Sequence, residues 1–184
     1  DAATPNADGE VRVLEVGVGT GCISLSIATE RPQTHVYATD LSPKAIALAT
    51  RNRDALDLQE RVELIECDLV EGVPAELAQS FSVLVSNPPY IPTSVLEQEV
   101  PAEVKGFEPE LALDGGEDGL DVYRRLLEAA PHMLLPGGML CVELYEGHLD
   151  KAAHLAEQQG VWESVEVKED LTHRPRILVA YLAK

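Results

Sequence analysis

An Asn-Pro-Pro-Tyr sequence at positions 87–90 has the residue types needed to hold a planar polar group. Asn87 offers a carbonyl oxygen and an amide donor, and Tyr90 offers an aromatic face. Pro88 and Pro89 lack N–H donors and fix the backbone, so the carbonyl oxygen of Pro88 is left free to accept a hydrogen bond from a ligand. An Asn-Pro turn is common without a function, so its meaning depends on the elements that position it.

A glycine-rich turn at positions 15–21 could approach a ligand closely, because alternate glycines remove Cβ clashes and a following helix offers free N–H groups. A dinucleotide fingerprint would need Gly or Ala where Cys22 stands. The acidic Glu15 suits a ligand that carries positive charge. A purely structural turn is nearly as good an interpretation of this segment alone. The candidate cofactor-binding residues here are Glu15, Gly17, Val18, Gly19, Thr20 and Gly21.

Two acids follow the next two predicted strands. Asp40 lies 23 residues beyond Gly17, a spacing that suits an acceptor for ribose hydroxyls. Asp40 could instead be a helix-entry acid, but the presence of the glycines favours the interpretation that it binds the ribose. Leu41, the next residue, is also a candidate cofactor-binding residue. Asp68 could accept from an adenine amino group with Leu69 as an apolar contact, although such an acid alone is more often a loop residue.

Strand-like and helix-like segments alternate along the chain, which predicts an α/β, doubly wound and mainly parallel seven-stranded sheet with helices on both faces. The two last strands have a short link, so we expect the last strand to be antiparallel. The candidate residues then follow strand ends, where such sheets bind ligands. A long irregular segment is predicted from Ile91 to Gly119. The predicted strands are Val11–Val16, Thr34–Thr39, Val62–Glu66, Phe81–Val85, Met139–Leu144, Val165–Lys168 and Ile177–Leu182, and the predicted helices are Ile23–Glu30, Pro43–Leu56, Leu120–Leu134 and Leu149–Gln159.

Size and composition predict one ordinary globular domain, residues 1–184, with 45% hydrophobic and 25% charged residues. A net charge of −18 repels nucleic-acid phosphates and suits a cationic ligand or a basic protein, although solubility alone also explains it. No apolar run approaches the roughly 20 residues that span a bilayer, and no secretion signal opens the chain. Because the first residue is Asp1 rather than Met, we expect a fragment of a longer protein.

No metal site is predicted. The segment Asp114–Gly119 resembles a calcium loop, but Gly116 and Arg125 stand where ligands belong, which favours a turn. The three cysteines lack zinc or disulfide spacing, which indicates a reducing cytoplasm; they are Cys22, Cys67 and Cys141. The histidines also lack metal spacing and are expected to be surface or capping residues; they are His35, His132, His148, His154 and His173.

The glycine turn, the two acids and the Asn-Pro-Pro-Tyr sequence together resemble the class I S-adenosylmethionine-dependent methyltransferases that act on exocyclic or amide nitrogen. Within these, the chain is similar to the protein-(glutamine-N5) methyltransferases that modify peptide chain release factors. The resemblance covers nearly the whole chain. The segments that match this subfamily are Ser86–Ile91, Phe107–Pro109, Ala112-Leu113, Gly115–Leu120, Pro136–Gly138 and Glu143.

The resemblance implies a Rossmann-like fold, S-adenosyl-L-methionine as cofactor and S-adenosyl-L-homocysteine as its product. It implies that the three glycines line the methionine part of the cofactor, that Asp40 holds the ribose, and that Asp68 and Leu69 contact the adenine. Asn87, which also joins the cofactor-binding residues, and the carbonyl of Pro88 would accept the two N–H groups of the substrate amide. Pro89 and Tyr90 would complete the substrate-binding segment. The implied partner is a release factor, for a monomeric enzyme that binds neither nucleic acid nor membrane directly.

The chain departs from this subfamily in two places. A helical N-terminal recognition domain and a Pro-rich segment before the glycine turn are missing, and Leu144-Tyr145-Glu146 replaces a usual glycine. Three alternatives stay open: glutamine methylation of a ribosomal protein, adenine-N6 methylation of DNA, and a non-catalytic cofactor-binding scaffold. The charge and the lack of a basic stripe count against DNA. Loss of Asn87 or Asp40 would favour the scaffold, and both are present.

Overall fold

The computed structural model describes residue 5 and the ranges 9–98 and 112–184. Within these residues seven strands form a single sheet. The strands are β1 Val11–Val16, β2 Thr34–Asp40, β3 Val62–Glu66, β4 Phe81–Ser86, β5 Leu134–Glu143, β6 Trp162–Glu169 and β7 Pro175–Leu182. The α-helices are α1 Cys22–Glu30, α2 Pro43–Ala55, α3 Thr93–Gln98, α4 Asp121–Met133 and α5 Leu149–Gln159, and short 3-10 helices span Ala75–Leu77 and Glu146–His148.

The strand order is β3-β2-β1-β4-β5-β7-β6, and every pair from β3 to β5 is parallel. The last strand, β7, is antiparallel to both of its neighbours. This confirms the predicted doubly wound sheet and its antiparallel last strand. The chain runs outward from β1 to β3 and then returns to place β4 on the other side of β1, so the switch point of the sheet lies between β1 and β4.

Helices cover both faces of the sheet. On one face α4 and α5 pack on the central strands, with Tyr123 and Leu126 of α4 almost completely buried. The hydroxyl of Tyr123 donates to the carbonyl oxygen of Ala152 at 2.8 Å, which joins these two helices. On the other face Leu25 and Ala28 of α1 pack against buried strand residues. The strands in the middle of the sheet are therefore packed on both faces.

The predicted start of α2 is confirmed. The Ser42 hydroxyl oxygen accepts from the backbone N–H of Ala45, and Pro43 occupies the first helical position, where its missing N–H costs nothing.

The predicted start of the fifth strand at Met139, after Pro136-Gly137-Gly138, was wrong. α4 ends at Met133, and β5 already begins at Leu134. Phe81 pairs with Leu134 whereas Val83 pairs with Met139. Residues 135–138 therefore lie inside β5 but interrupt its regular pairing with β4. A glycine with a φ of 79° at position 137 permits this bend.

The segment from Ile91 to Gly119, predicted to be irregular, contains α3. The carbonyl oxygen of Pro92 accepts from the backbone N–H groups of Val95 and Leu96, both at 2.9 Å, so a proline placed just before the helix starts it. Residues 99–111, including the matched segment Phe107–Pro109, lie outside the described residues. Among the residues that are described, no helix has the length and apolar character needed to cross a bilayer.

Candidate active site

The glycine turn and the Asn-Pro-Pro-Tyr sequence start side by side at the switch point. Val16 of β1 pairs with Ser86 of β4, and the Ser86 hydroxyl donates to the carbonyl oxygen of Val16 at 2.7 Å. Both side chains are buried. Gly17 and Asn87 are therefore the next residues of two adjacent, locked strands, and the two sequence motifs meet at one edge of the sheet.

The glycine turn has a backbone conformation that residues with a side chain rarely adopt. The φ angle is 82° at Gly17, 53° at Gly19 and 85° at Gly21. A Cβ at Gly17 or Gly19 would meet nothing within 4 Å, whereas one at Gly21 would lie 3.0 Å from Leu25. The turn is fastened to β2, because the carbonyl oxygen of Thr39 accepts from two successive backbone N–H groups of the turn, each at 2.9 Å. The open side of this turn offers space for a ligand.

Asp40 links the glycine turn to the start of α2. One carboxylate oxygen accepts from the backbone N–H of Gly19 at 2.9 Å, and the other accepts from the N–H of Ser42 at 2.8 Å. The helix-entry role that the sequence left open is therefore present, together with a direct contact to the turn. Each carboxylate oxygen keeps acceptor capacity for a ligand hydroxyl. Leu41 beside it is 52% exposed.

Asn52, on α2, is a site residue that sequence reasoning missed. Its side-chain amide donates to the carbonyl oxygen of Thr20 at 2.8 Å and so ties the glycine turn to α2 as well as to β2. A polar residue on a helix is usually interpreted as part of a solvent-exposed face, so the sequence did not indicate this contact. The available signal was the residue type, because Asn is a poor helix former and α2 extends beyond it on both sides.

The Glu15 side chain is buried and contacts α1. Its side chain is 2% exposed, and one carboxylate oxygen accepts from both the backbone N–H and the hydroxyl of Ser24, in the first turn of α1. Burial raises the pKa of Glu15 from 4.5 to about 7, and the nearby charge of Asp40 adds to this, while the bonds from Ser24 oppose it. The carboxylate thus fixes α1 relative to β1 at the two ends of the glycine turn.

The Glu15→Gln variant is expected to remove a pH dependence of stability. Because the folded-state pKa lies above 4.5, the folded protein binds more protons than the unfolded chain between these values, and its stability falls as the pH rises from about 4.5 to about 7. Gln keeps both acceptor contacts without the charge. Relative to this variant, the unchanged protein should lose about 2–3 kcal/mol of unfolding free energy across the window. Urea denaturation of both proteins at several pH values measures the difference, and parallel pH curves would contradict the assignment.

Asp68 and Leu69 follow β3 and turn toward β2. The Thr39 hydroxyl donates to the carbonyl oxygen of Leu69 at 2.7 Å, and Leu69 has a φ of 46°. One carboxylate oxygen of Asp68 accepts from the guanidinium of Arg125 in α4 at 2.9 Å. The predicted adenine contacts therefore lie at the same edge as Asp40, and Asp68 has a cationic neighbour that the sequence did not indicate.

The Asn-Pro-Pro-Tyr segment is held at its far end by the turn that follows residue 112. The backbone N–H of Ile91 donates to the carbonyl oxygen of Leu113 at 3.0 Å, and the carbonyl oxygen of Ile91 accepts from the N–H of Gly115 at 2.8 Å. Asp114 accepts from the Thr93 hydroxyl at 2.8 Å. Asn87 is exposed, whereas Pro88 is buried and Pro89 and Tyr90 are partly buried. The segment thus presents an amide on a fixed backbone.

The glycines of this turn let two backbones approach each other. A Cβ on Gly115 would lie 2.8 Å from the Cα of Tyr90, and one on Gly119 would collide with the carbonyl oxygen of Tyr90 and lie 2.6 Å from His148. His148 is the N-cap residue of α5, one of the two positions expected for it, but its side chain makes no capping hydrogen bond, and its Nδ1 atom is buried with no hydrogen-bond partner among the described residues. Burial also lowers the pKa of His148.

Two acids of the turn at Asp114–Gly119 have partners within the protein: Asp114 accepts from Thr93 and from the N–H of Gly116, and Asp118 pairs with cations. Asp118 forms ion pairs with Arg124, at 2.6 Å, and with Lys151, and these hydrogen bonds hold the pKa of its carboxyl well below the usual range. In ranges 9–98 and 112–184 no three or more His, Cys, Asp or Glu side chains group in a way that could hold a metal ion.

The profile of the family described as the methyltransferase small domain matches residues 4–104 of the chain. The release factor glutamine methyltransferase of Clostridium acetobutylicum is 38% identical over 172 residues, which cover 92% of this chain and 58% of that protein. The protein of the same name from Geobacter sulfurreducens is 46% identical over 148 residues, or 80% of this chain and 50% of that protein. The chain thus spans between half and three-fifths of these relatives.

Solved structures share the fold at low sequence identity. A methyltransferase from Pyrococcus furiosus has a TM-score of 0.69 at 20% identity, over 95% of this chain and 76% of that one. The catalytic domain of human Mettl16, solved with an RNA hairpin, has a TM-score of 0.70 at 14% identity, over 95% and 64% of the two chains. The fold is therefore the Rossmann-like methyltransferase fold, and the chain belongs to the methyltransferase small domain family.

Proposed function

We propose that this chain transfers a methyl group from S-adenosylmethionine to the side-chain amide nitrogen of a glutamine in a peptide chain release factor. The observation that carries the proposal is the exposed Asn87 on a locked backbone directly beside the open glycine turn. The names of the relatives support the choice of substrate. We further propose that residues 1–184 form one catalytic domain, supported by a single sheet that runs from Val11 to Leu182.

The cofactor fits the residues at the carboxyl edge. The space above Gly17 and Gly19 suits the methionine part, because a backbone without side chains can lie close to it. Asp40 has acceptor capacity left for the ribose hydroxyls, and Asp68 would accept a hydrogen bond from the adenine amino group. The remaining residues that would line the cofactor are Val18, Thr20, Gly21, Leu41 and Leu69, with Glu15 acting through α1.

The substrate amide would be held by two oxygen acceptors, the side chain of Asn87 and the backbone carbonyl of Pro88. Both N–H groups are then engaged, and the nitrogen lone pair is directed at the methyl donor. Such orientation can lower the activation barrier by roughly 7–11 kcal/mol. Tyr90 lies beside this position and packs partly against the core, so its ring can support the planar group.

S-adenosylmethionine, when bound, supplies a methyl group on a positively charged sulfur. As positive charge develops on the amide nitrogen, the hydrogen bonds that its N–H groups donate to Asn87 and Pro88 strengthen. These residues therefore stabilise the transition state more than the ground state. The methylated nitrogen then loses one proton readily to solvent. No side chain needs to remove a proton before the transfer, and we assign no general base.

A panel of acceptors tests this proposal. The chain is incubated with isotopically labelled S-adenosylmethionine and, separately, a release factor, a mixture of ribosomal proteins or duplex DNA. We expect label in the release factor, and no label when its glutamines are replaced by glutamate. Label in a ribosomal protein or in DNA would assign the corresponding alternative substrate. Cofactor binding without labelling of any acceptor would favour a scaffold and overturn the proposed reaction.

A further inference from the structure

Arg125 is a cation in direct contact with an acid of the proposed adenine site. Its Nη2 atom donates to a carboxylate oxygen of Asp68 at 2.9 Å, across a sequence separation of 57 residues. Arg125 lies in α4, on the face of the sheet that also carries α5, so the contact bridges a helix and the turn after β3. The side chains are 50% and 37% exposed, so a ligand can reach this pair.

The surroundings of Arg125 are acidic. The charges of Asp68, Glu71 and Glu128 all act on the guanidinium, and the hydrogen bond that Arg125 donates to Asp68 is the main reason that the pKa of Arg125 is raised. In a chain of net charge −18, removal of this cation would leave the three carboxylates around it without the positive charge that they share. Like charges repel, so the carboxylate of Asp68 would then turn outward toward solvent.

The backbone of Asp68 is already fixed without Arg125. Its carbonyl oxygen accepts from the N–H of Glu71 at 3.0 Å, the next residue is held by Thr39, and the preceding Cys67 donates to the carbonyl oxygen of Asp40 at 3.0 Å. The direction of the carboxylate is the remaining freedom, and Arg125 restricts it through one of the two oxygens. The other oxygen is left to accept from a ligand.

We propose that Arg125 is a positioning residue, which holds the carboxylate of Asp68 so that its second oxygen accepts the exocyclic amino group of adenine. This inference rests on the proposed function, because it assumes an adenosyl cofactor. It assigns to Arg125 a share in the recognition of adenine over other bases. A merely structural ion pair would not depend on the amino group of the ligand.

Calorimetric titration with two ligands separates these roles. One ligand is S-adenosylhomocysteine, and the other is its analogue in which purine, which lacks the exocyclic amino group, replaces adenine. The Arg125→Gln variant should bind S-adenosylhomocysteine about three- to fivefold more weakly, as expected for one exposed charge-assisted contact, and should bind the purine analogue as the unchanged protein does. Arg51→Gln, which changes an exposed arginine of α2, is the matched control and should alter neither affinity.

Each outcome has a distinct meaning. Equal weakening for both ligands, or unchanged affinity for S-adenosylhomocysteine, would overturn the role of Arg125 and leave the cofactor assignment intact. Absence of binding to the unchanged protein would overturn the cofactor assignment and, with it, this inference. The Arg125→Lys variant keeps a cation of shorter reach and should give an intermediate loss that again depends on the amino group.

Discussion

Replacement of Asn87 by alanine is expected to lower kcat for methyl transfer by about 10²–10³-fold, with a far smaller change in the dissociation constant of S-adenosylmethionine. A side-chain acceptor that is aimed at a group on which charge develops contributes in this range. Asn87 is exposed and follows a strand locked by the Ser86–Val16 contact, so its truncation leaves the backbone in place. Single-turnover assays with a release factor and calorimetry with the cofactor measure the two quantities.

Gln158→Ala is the matched control, because it removes an amide of the same kind from an exposed position in α5, remote in the chain from the glycine turn. The Asn87→Asp variant keeps an oxygen acceptor and should retain more activity than the alanine variant. If Asn87→Ala kept kcat within about threefold of the unchanged protein, the proposed role of this residue would be wrong.

Replacement of Asp40 by alanine is expected to weaken cofactor binding by at least about 100-fold and to lower the free energy of unfolding by about 1–3 kcal/mol. The variant loses the proposed ribose acceptor and also leaves the N–H groups of Gly19 and Ser42 without their carboxylate partner. Calorimetric titration with S-adenosylhomocysteine and urea denaturation separate the two losses.

The Asp40→Asn variant distinguishes the ligand contact from the structural one. Its amide oxygen can accept from one of the two N–H groups, so stability should recover in part while cofactor affinity stays low. Asp150→Ala, an exposed acid in the first turn of α5, controls for the loss of one negative charge. A loss of stability without a loss of affinity would contradict the ribose assignment for Asp40.

Most of the sheet could be predicted because its strands are short β-rich runs separated by helices with clear starts, as at Ser42-Pro43. The start of β5 could not be predicted, because a proline followed by two glycines, as at Pro136, normally ends an element. Only the pairing with β4 on either side of these residues keeps them inside a strand. The short helix α3 was hidden for a related reason. The prolines and acids of the surrounding segment are typical of a loop, and the hydrogen bonds that hold Ile91, just before the helix, to Leu113 and Gly115 are visible only in the fold.

The residues of the candidate site could be found where a sequence motif carries them, as in the glycine turn and in the Asn-Pro-Pro-Tyr sequence. Residues that act through another residue left no such signal. Ser24, Asn52 and Arg125 each contact a motif residue from a helix, at sequence separations of 9, 32 and 57. On a helix, a polar side chain directed at a turn and one directed at solvent have the same pattern in the sequence, so only the fold distinguishes them.

Mass spectrometry of a release factor after incubation with this chain and S-adenosylmethionine tests the proposed reaction most directly. We expect the mass of one added methyl group, located by fragmentation on the side-chain amide nitrogen of a glutamine, with an equal amount of S-adenosylhomocysteine formed. The Asn87→Ala variant should show neither product at the same time point. S-adenosylhomocysteine formed with the methyl group on any other residue, or cofactor bound with no methylated glutamine, would contradict the proposed function.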